Sequence, residues 1–471
     1  MERSLTEGNS LRQILRFAFP LLLGNMFQQL YNLADSVIVG RTLGVDALAA
    51  VGASSSLNFL ILGFCNGSCS GFTIPVSQRF GAKDYPMMRR YVFNAAALTA
   101  ALALVITTIT AVFCRQILVA IQTPENIMDG AYAYLFVIFL GIPFTMLYNL
   151  SAGILRALGD SKSPFLFLAI STVLNIFGDL FTILVLDMGV EGAAIATIAA
   201  QAVSGFCCVW FMKKKFSILR MTREERTVRS DQIRTLLMMG LPMGLQFSIT
   251  AIGSVMLQSA VNALGSVIVA SFSAAAKVKM LMMAPFDALG NTAATFCGQN
   301  MGAGKIDRIK RGIFEMMAIG ISYSLLATLI MVLFGGKIVS VFVGSAEVEV
   351  IKYAHLQLRC MGYFFFLLAF INIMRSAVQG MGHSGSAMVA GLLEMVARSA
   401  MSWFAIPTYG FLAACFTDQA AWVVASVYIF ADLAYILRRA ESSVQGARSF
   451  DRSKEVKPRV RNRTRFSGSA R

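Results

Sequence analysis

Apolar stretches of about twenty residues recur from one end of the chain to the other, separated by short polar turns, and each is long enough to cross a bilayer as a helix. Twelve are expected, at roughly 17–39, 47–74, 91–113, 131–155, 165–186, 192–212, 236–261, 266–296, 313–334, 355–378, 387–407 and 411–437. The first departs from a plain greasy rod. Asn25, Gln28, Asn32 and Asp35 follow one another at steps of 3, 4 and 3, which puts them on one helix face. Charge at a helix centre in lipid costs roughly 2.5 to 3.5 kcal/mol, so an intramembrane acid marks a functional position by default. The fifth span repeats the device with Ser171, Asn175 and Asp179. Pro20 is expected to start the first span.

The basic residues orient the spans. With the N-terminus in the cytoplasm, 33 of the 41 Lys and Arg fall in cytoplasmic segments and four, Arg41, Arg115, Lys337 and Lys352, fall outside. Arg156 and Arg375 are counted on the cytoplasmic side. The chain is also duplicated. QRFGA at Gln78 to Ala82 lines up with QNMGA at Gln299 to Ala303, a shift of 221 from Gly81 to Gly302, which also carries Leu43 onto Leu264, Arg90 onto Arg311 and Gly189 onto Gly410. The expected fold is an all-α polytopic membrane protein with twelve transmembrane helices. They form two six-helix bundles related by pseudo-two-fold symmetry along the membrane normal, an arrangement suited to alternating access. Residues 1–212 form the first bundle, 213–235 a basic cytoplasmic linker, 236–437 the second bundle and 438–471 a basic, disordered cytoplasmic tail.

Composition narrows the chemistry. At 56% hydrophobic and 14% charged residues, with a mean hydropathy of +0.66, the chain is far from a soluble protein with roughly 25% charged residues. Half of the net charge of +16 lies in the tail, which fits an anionic lipid surface and, lacking any folded module, not nucleic acid. The eight cysteines lie mostly in apolar spans without zinc spacing, and His355 and His383 are the only two histidines. No cofactor, metal centre or enzymatic cluster is expected. The first apolar run is too long for a signal peptide and is read as a retained span. The partners expected are a small-molecule substrate and the lipid bilayer, and a monomer suffices.

At a rise of about 1.5 Å per residue, Asp35, Asp179 and Thr197 lie within about 8 to 10 Å of the outer ends of the first, fifth and sixth spans. Two carboxylates at one level of an apolar bundle cannot both carry charge cheaply, so the pair is expected to exchange a proton or hold a sodium ion. The second half offers Met256 or Leu257 opposite Asp35, so the acid belongs to one half alone. Elsewhere, Glu394 and Arg398 are spaced for an intrahelical ion pair. Lys277 is expected near mid-membrane, where it either lowers the affinity of the second half for cations or pairs with Glu394, and Lys279 is expected to face elsewhere or snorkel. Asp287 and Asp432 are expected at solvated ends. Met280, Met282 and Met283 with Phe364 to Phe366 suit either routine packed and lipid-facing positions or, as the lesser reading, an adaptable cavity wall.

The segments NIFGD (Asn175 to Asp179), LRALGDSKSP (Leu155 to Pro164), QNMGA (Gln299 to Ala303) and ADSVIVGR (Ala34 to Arg41) together resemble the multidrug and toxic compound extrusion (MATE) family. The resemblance runs from about residue 10 to 437. It implies a secondary antiporter in the cell (plasma) inner membrane that expels organic, cationic or amphipathic compounds against inward proton or sodium flow. It also implies a coupling-ion cluster of Asp35, Asn149, Asn175, Asp179 and Thr197, supported by Gln28, Tyr31 and Asn32. The family's second-half sodium site uses a glutamate on the seventh span, where this chain has Gln246 and Thr250 but no acid, so coupling is assigned to the first half. Glu394, Arg398 and Lys277 remain candidates in the second half. A lipid-linked oligosaccharide flippase of the same wider superfamily is the alternative.

Overall fold

The computed structural model describes residues 4–343 and 347–455, and of the side chains of 33, 36, 45, 48 and 443–455 nothing is said. The first half holds α1 (Ser10–Thr42), α2 (Val45–Gly81), α3 (Tyr85–Val112), α4 (Cys114–Ala120), α5 (Glu125–Leu140), α6 (Ile142–Ala157), α7 (Lys162–Leu184) and α8 (Val190–Lys215). The second holds α9 (Ser230–Asn262), α10 (Ser266–Gly302), α11 (Ile306–Val343), α12 (Val348–Tyr363), α13 (Phe365–Gly380), α14 (Ser384–Ala400), α15 (Ile406–Tyr409) and α16 (Phe411–Glu455). Among the described residues nine helical segments are long and apolar enough to cross a membrane. Counting the bent pairs α5/α6 (46°) and α12/α13 (54°) as one span each makes eleven. These eleven match the second to twelfth expected spans. The first expected span is α1, whose 33 residues reach about 50 Å but which lies outside that apolar set.

Two boundaries differ from the sequence expectation. Asn9 caps α1 by accepting the Arg12 amide at 3.0 Å, so the helix begins ten residues before Pro20, which lies inside it. The last helix continues to Glu455, over ground expected to be an irregular tail. The rest of that tail, 456–471, lies outside the described residues.

Apolar burial gathers into two large cores. One is built from α2 to α6 and α8, with Phe72, Phe139 and Leu135 fully buried. The other is built from α10 to α13 and α16, around Phe286, Phe296, Phe365 and Trp422. The start of the chain joins the second core: Leu5, Ile14, Phe17 and Leu21 are buried in it.

Small residues let helices of the two halves meet. Gly67 and Gly71 of α2 face Met243 and Gly240 of α9 so closely that a Cβ on either glycine would lie 2.5 Å from backbone atoms. This small-xxx-small spacing (Gly67/Gly71, Gly240/Gly244) replaces side-chain packing with backbone contact, which is how helices adhere where lipid offers no hydrophobic drive. At one end of α2 and α10 the duplicated turns meet reciprocally. A Cβ on Gly81 would stand 1.9 Å from the Gln299 carbonyl oxygen, and one on Gly302 would stand 1.8 Å from that of Gln78. The two glutamines complete the pattern, Gln78 Nε2 donating to the Gly380 carbonyl at 3.0 Å and Gln299 Nε2 to that of Ala157 at 2.8 Å. The N-terminal strap lies over this junction. The Leu5 amide donates to Gln299 Oε1 at 2.7 Å, and Arg308 donates to the carbonyls of Leu5 (3.1 Å) and Gly8 (2.7 Å).

The linker is docked as well. Arg89 donates to both carboxylate oxygens of Glu225, at 2.8 and 2.6 Å, and Asn94 takes up Thr227, Arg229 and Gln232. The Arg89 hydrogen bonds hold the Glu225 carboxyl below its ordinary range. A depressed carboxylate contributes stability that is present above its unfolded value and is lost as pH falls through the folded one. The protection factor for amide hydrogen exchange over residues 217–229, with the intrinsic pH dependence divided out, is therefore expected to stay constant between about pH 6 and 8 and to fall below about pH 4.

The reciprocal glycine contact gives a second expectation. Gly302→Ala, which drives a Cβ into backbone, is expected to cost about 1 to 3 kcal/mol and lower the melting temperature in detergent. Gly385→Ala, where a Cβ meets nothing within 4 Å, is expected to leave it unchanged or raise it.

Candidate functional site

The polar stripe of α1 meets the stripe of α7 inside the first half. Asp35 is 9% exposed and Asp179 fully buried, and their carboxyl groups lie within hydrogen-bonding reach of each other. Asn175, one turn from Asp179 on α7, donates to Asp179 Oδ1 at 3.4 Å and to Thr197 Oγ1 of α8 at 3.2 Å. The Tyr31 hydroxyl is 3.4 Å from the same Thr197 oxygen. Asp35 Oδ1, Asp179 Oδ2, Asn175 Oδ1 and Gln201 Oε1 are buried and find no donor among the described residues. Two carboxyl groups and the Asn175 amide gather there, with no ion pair to either acid among the described residues, which is a donor set suited to a proton or a small hard cation. Beside them is a pocket of about 10 Å³ lined by Gln28, Tyr31, Ser171, Asn175, Thr197 and Gln201, room for about one water-sized occupant.

A second cavity, of about 390 Å³, lies between the halves and draws its walls from α1, α2, α6, α7, α9, α10 and α13. Gln28 and Leu168 line both it and the small pocket, so the two share part of their wall. The wall is mostly polar (Asn25, Asn66, Asn149, Asn291, Asn372, Gln246, Gln379), with Phe165 and Phe247 supplying apolar surface and Arg156, Arg375 and Asp287 supplying charge. Gln379 Nε2 donates to Gln246 Oε1 at 2.6 Å across the second-half wall.

Several expected positions move. Asn149, which the family resemblance placed in the cluster, lies on the large cavity's wall, donating to the Thr145 carbonyl oxygen at 2.8 Å. Asn32 is exposed and lines neither cavity, because at 100° per residue Tyr31 and Asn32 fall on opposite sides of the line joining Gln28 to Asp35. The methionines and phenylalanines proposed for the wall are elsewhere: Phe365 is fully buried in the second core, Met282, Met283 and Phe364 pack against it, and Met280 and Phe366 are exposed. Asp287 is exposed, as expected, but towards the large cavity, whose wall Arg375 also lines.

The second half contains a chain of charges, of which the sequence showed the middle. Glu394 is 3.7 Å from Arg398, as its spacing predicts, but each has a nearer partner: Arg375 at 2.9 Å from Glu394, and Asp418 at 2.9 Å from Arg398. Lys279 pairs with Asp418 and stands over the Trp422 ring. Lys277 does not reach Glu394. It is exposed, 6.0 Å from the centre of the Phe342 ring, because residues two apart on a helix point about 200° apart and Lys279 takes the inward direction. Asp418, Tyr134 of α5, which interacts electrostatically with both Asp35 and Asp179, and Gln201 went unread. The rule that flagged Asp35, an acid inside an apolar span, also applies to Asp418. All eight cysteines are free, and among the described residues no group of three or more His, Cys, Asp or Glu is placed to hold a metal ion.

Removing one partner of a buried ion pair strands the other, at about 3 to 5 kcal/mol. Asp418→Asn is expected to lower the melting temperature sharply, and adding Lys279→Met to recover part of the loss. Lys277→Ala, at an exposed position, is expected to stay within about 0.5 kcal/mol of the native protein.

Comparison with known proteins places these features in context. The MatE family model matches residues 20–181 and 242–404, one stretch in each half. The chain is 31% identical over 366 residues to "Probable multidrug resistance protein YoeA" of Bacillus subtilis, covering 75% of this chain and 78% of that protein. It is 29% identical over 394 residues to "Probable multidrug resistance protein YpnP" of the same organism, covering 83% and 86%. Among solved structures, the outward-facing conformation of a multidrug resistance MATE family transporter superposes with a TM-score of 0.87 at 22% identity, over 93% of this chain and 98% of that one.

Proposed function

Because this chain belongs to the MatE family of multi-pass membrane transporters, we propose that it is a secondary active antiporter exporting amphipathic organic compounds through the cavity between its halves. Inward flow of protons or sodium through the Asp35 and Asp179 pair drives the export. The chain is a transporter and not an enzyme. The drug-resistance names of its relatives favour drug export over the flipping of lipid-linked oligosaccharide.

The observation that carries the coupling proposal is the pair of facing carboxyl groups on two helices, next to the wall of the large cavity. A cation between Asp35 and Asp179 draws α1 towards α7, and its departure leaves two acceptors that repel. The same helix α1 supplies Pro20, Leu21, Gly24, Asn25 and Gln28 to the large cavity. Cation and substrate therefore act on one helix from neighbouring sites, and occupancy of one alters the shape offered to the other. The junction of α2 and α10 at Gly81 and Gly302 lies at the end the charge pattern assigns to the cytoplasm. In this reading the conformation is outward-facing, and its return requires that junction to part.

In proteoliposomes, Asp35→Asn and Asp179→Asn are each expected to cut gradient-driven export at least about tenfold, within the usual range of coupling between two sites. Binding of the exported compound to the purified protein is expected to survive. Imposing a pH gradient and a sodium gradient separately identifies the ion. Undiminished gradient-driven export in both variants would sink the coupling assignment.

A further inference from the structure

The large cavity carries a cation that no side chain pairs. Its charged lining residues are Arg156, Arg375 and Asp287, and Arg375 is taken up by Glu394 at 2.9 Å. Arg156 enters from α6. Among the described residues its guanidinium makes no ion pair and no hydrogen bond, and the groups nearest to it electrostatically are Tyr148, Cys208 and Cys69, all uncharged at neutral pH. Asp160, the acid closest along the chain, is occupied at the start of α7: it accepts from the Lys162 amide at 3.0 Å and from the Ser163 amide and hydroxyl at 3.1 and 2.6 Å.

An unpaired cation in a cleft with low-dielectric walls focuses its field into the cleft and concentrates counter-ions there. A guanidinium adds geometry to that field, since its planar fork matches the two oxygens of a carboxylate or another oxyanion. Phe165 and Phe247 offer ring surface in the same cavity, and the carboxylate of Asp287, which interacts electrostatically with Arg375 but makes no ion pair among the described residues, can meet a positive group of the same compound.

We propose that Arg156 is the anion-recognition residue of this cavity, and that the compounds preferred are aromatic amphiphiles bearing a carboxylate or similar oxyanion, zwitterions included, over plain cations. The assignment rests on the reading that the large cavity takes the exported compound, and it changes the charge expected of that compound from the cationic class that the sequence suggested.

The test uses a matched pair of dyes, a carboxylate-bearing rhodamine and its methyl ester, with binding to the protein in lipid nanodiscs read by fluorescence polarisation. The native protein is expected to bind the acid at least about tenfold more tightly than the ester, the factor that a charge-assisted bond supplies. Arg156→Gln is expected to abolish that ratio and Arg156→Lys to restore part of it. Because the readout is a ratio, general damage to the variant does not imitate the result. A native ratio of one or less, or a ratio that Arg156→Gln leaves unchanged, overturns the assignment while the cavity reading stands. Binding of both dyes that is indifferent to Asn291→Trp, which fills the cavity, places them elsewhere and overturns the cavity reading together with the assignment.

Discussion

Two carboxyl groups within reach of each other inside an apolar bundle need a positive charge between them, and the arrangement of the first half serves that need. Asp35 comes from α1 and Asp179 from α7, so holding them together fixes the relation of two helices. Asn175 and Thr197 bridge α7 to α8, and Tyr31 ties α1 to the same hydroxyl. None of these hydrogen bonds supplies a formal charge. The donor set is all oxygen, which is the chemistry that the proposed proton or sodium coupling requires.

The responsiveness matters because α1 belongs to two environments. Its early turns, from Ile14 to Leu21, are buried in the second core, its middle lines the large cavity, and its later turns carry the acid into the first half. Around it the halves are held by contacts that allow little compromise, glycine against backbone along α2 with α9 and at the junction of α2 with α10. Such contacts are either made or parted, since packed surfaces have discrete arrangements and do not stretch continuously. A helix shared between a cation site and a substrate cavity, set beside a junction of that kind, has the physical ingredients of a two-state transporter.

Much of this was legible in the sequence, for identifiable reasons. An acid is so costly in lipid that Asp35 and Asp179 stood out singly, spacings of three and four placed Gln28 and Asn175 on their helix faces, and depth along the span placed Thr197 at their level. The duplication at Gly81 and Gly302 also pointed to a special position, although not to the fact that the two copies touch. What was not legible depended on where helices bend or stop. Asn149 was placed in the cluster by family resemblance alone, and it lies instead on the wall of the large cavity. Arg156 was counted with a turn because Gly159 and Asp160 follow it, yet α6 runs to Ala157 and carries the side chain to the cavity. Arg375 and Asp418 owe their roles to partners on other helices, α14 with α13 and with α16, and no spacing along one helix reveals those.

The account stands or falls on competition between cation and substrate at neighbouring sites on α1. Linkage requires that if each weakens the other's binding, adding one expels the other. The direct measurement is made on purified protein in weakly buffered solution, following pH and free sodium while a transported compound is added. The account predicts release of protons or of sodium that saturates with the compound and is lost when Asp35 and Asp179 are both replaced by Asn. A compound that binds without releasing either ion, or release that persists in that double variant, would contradict it.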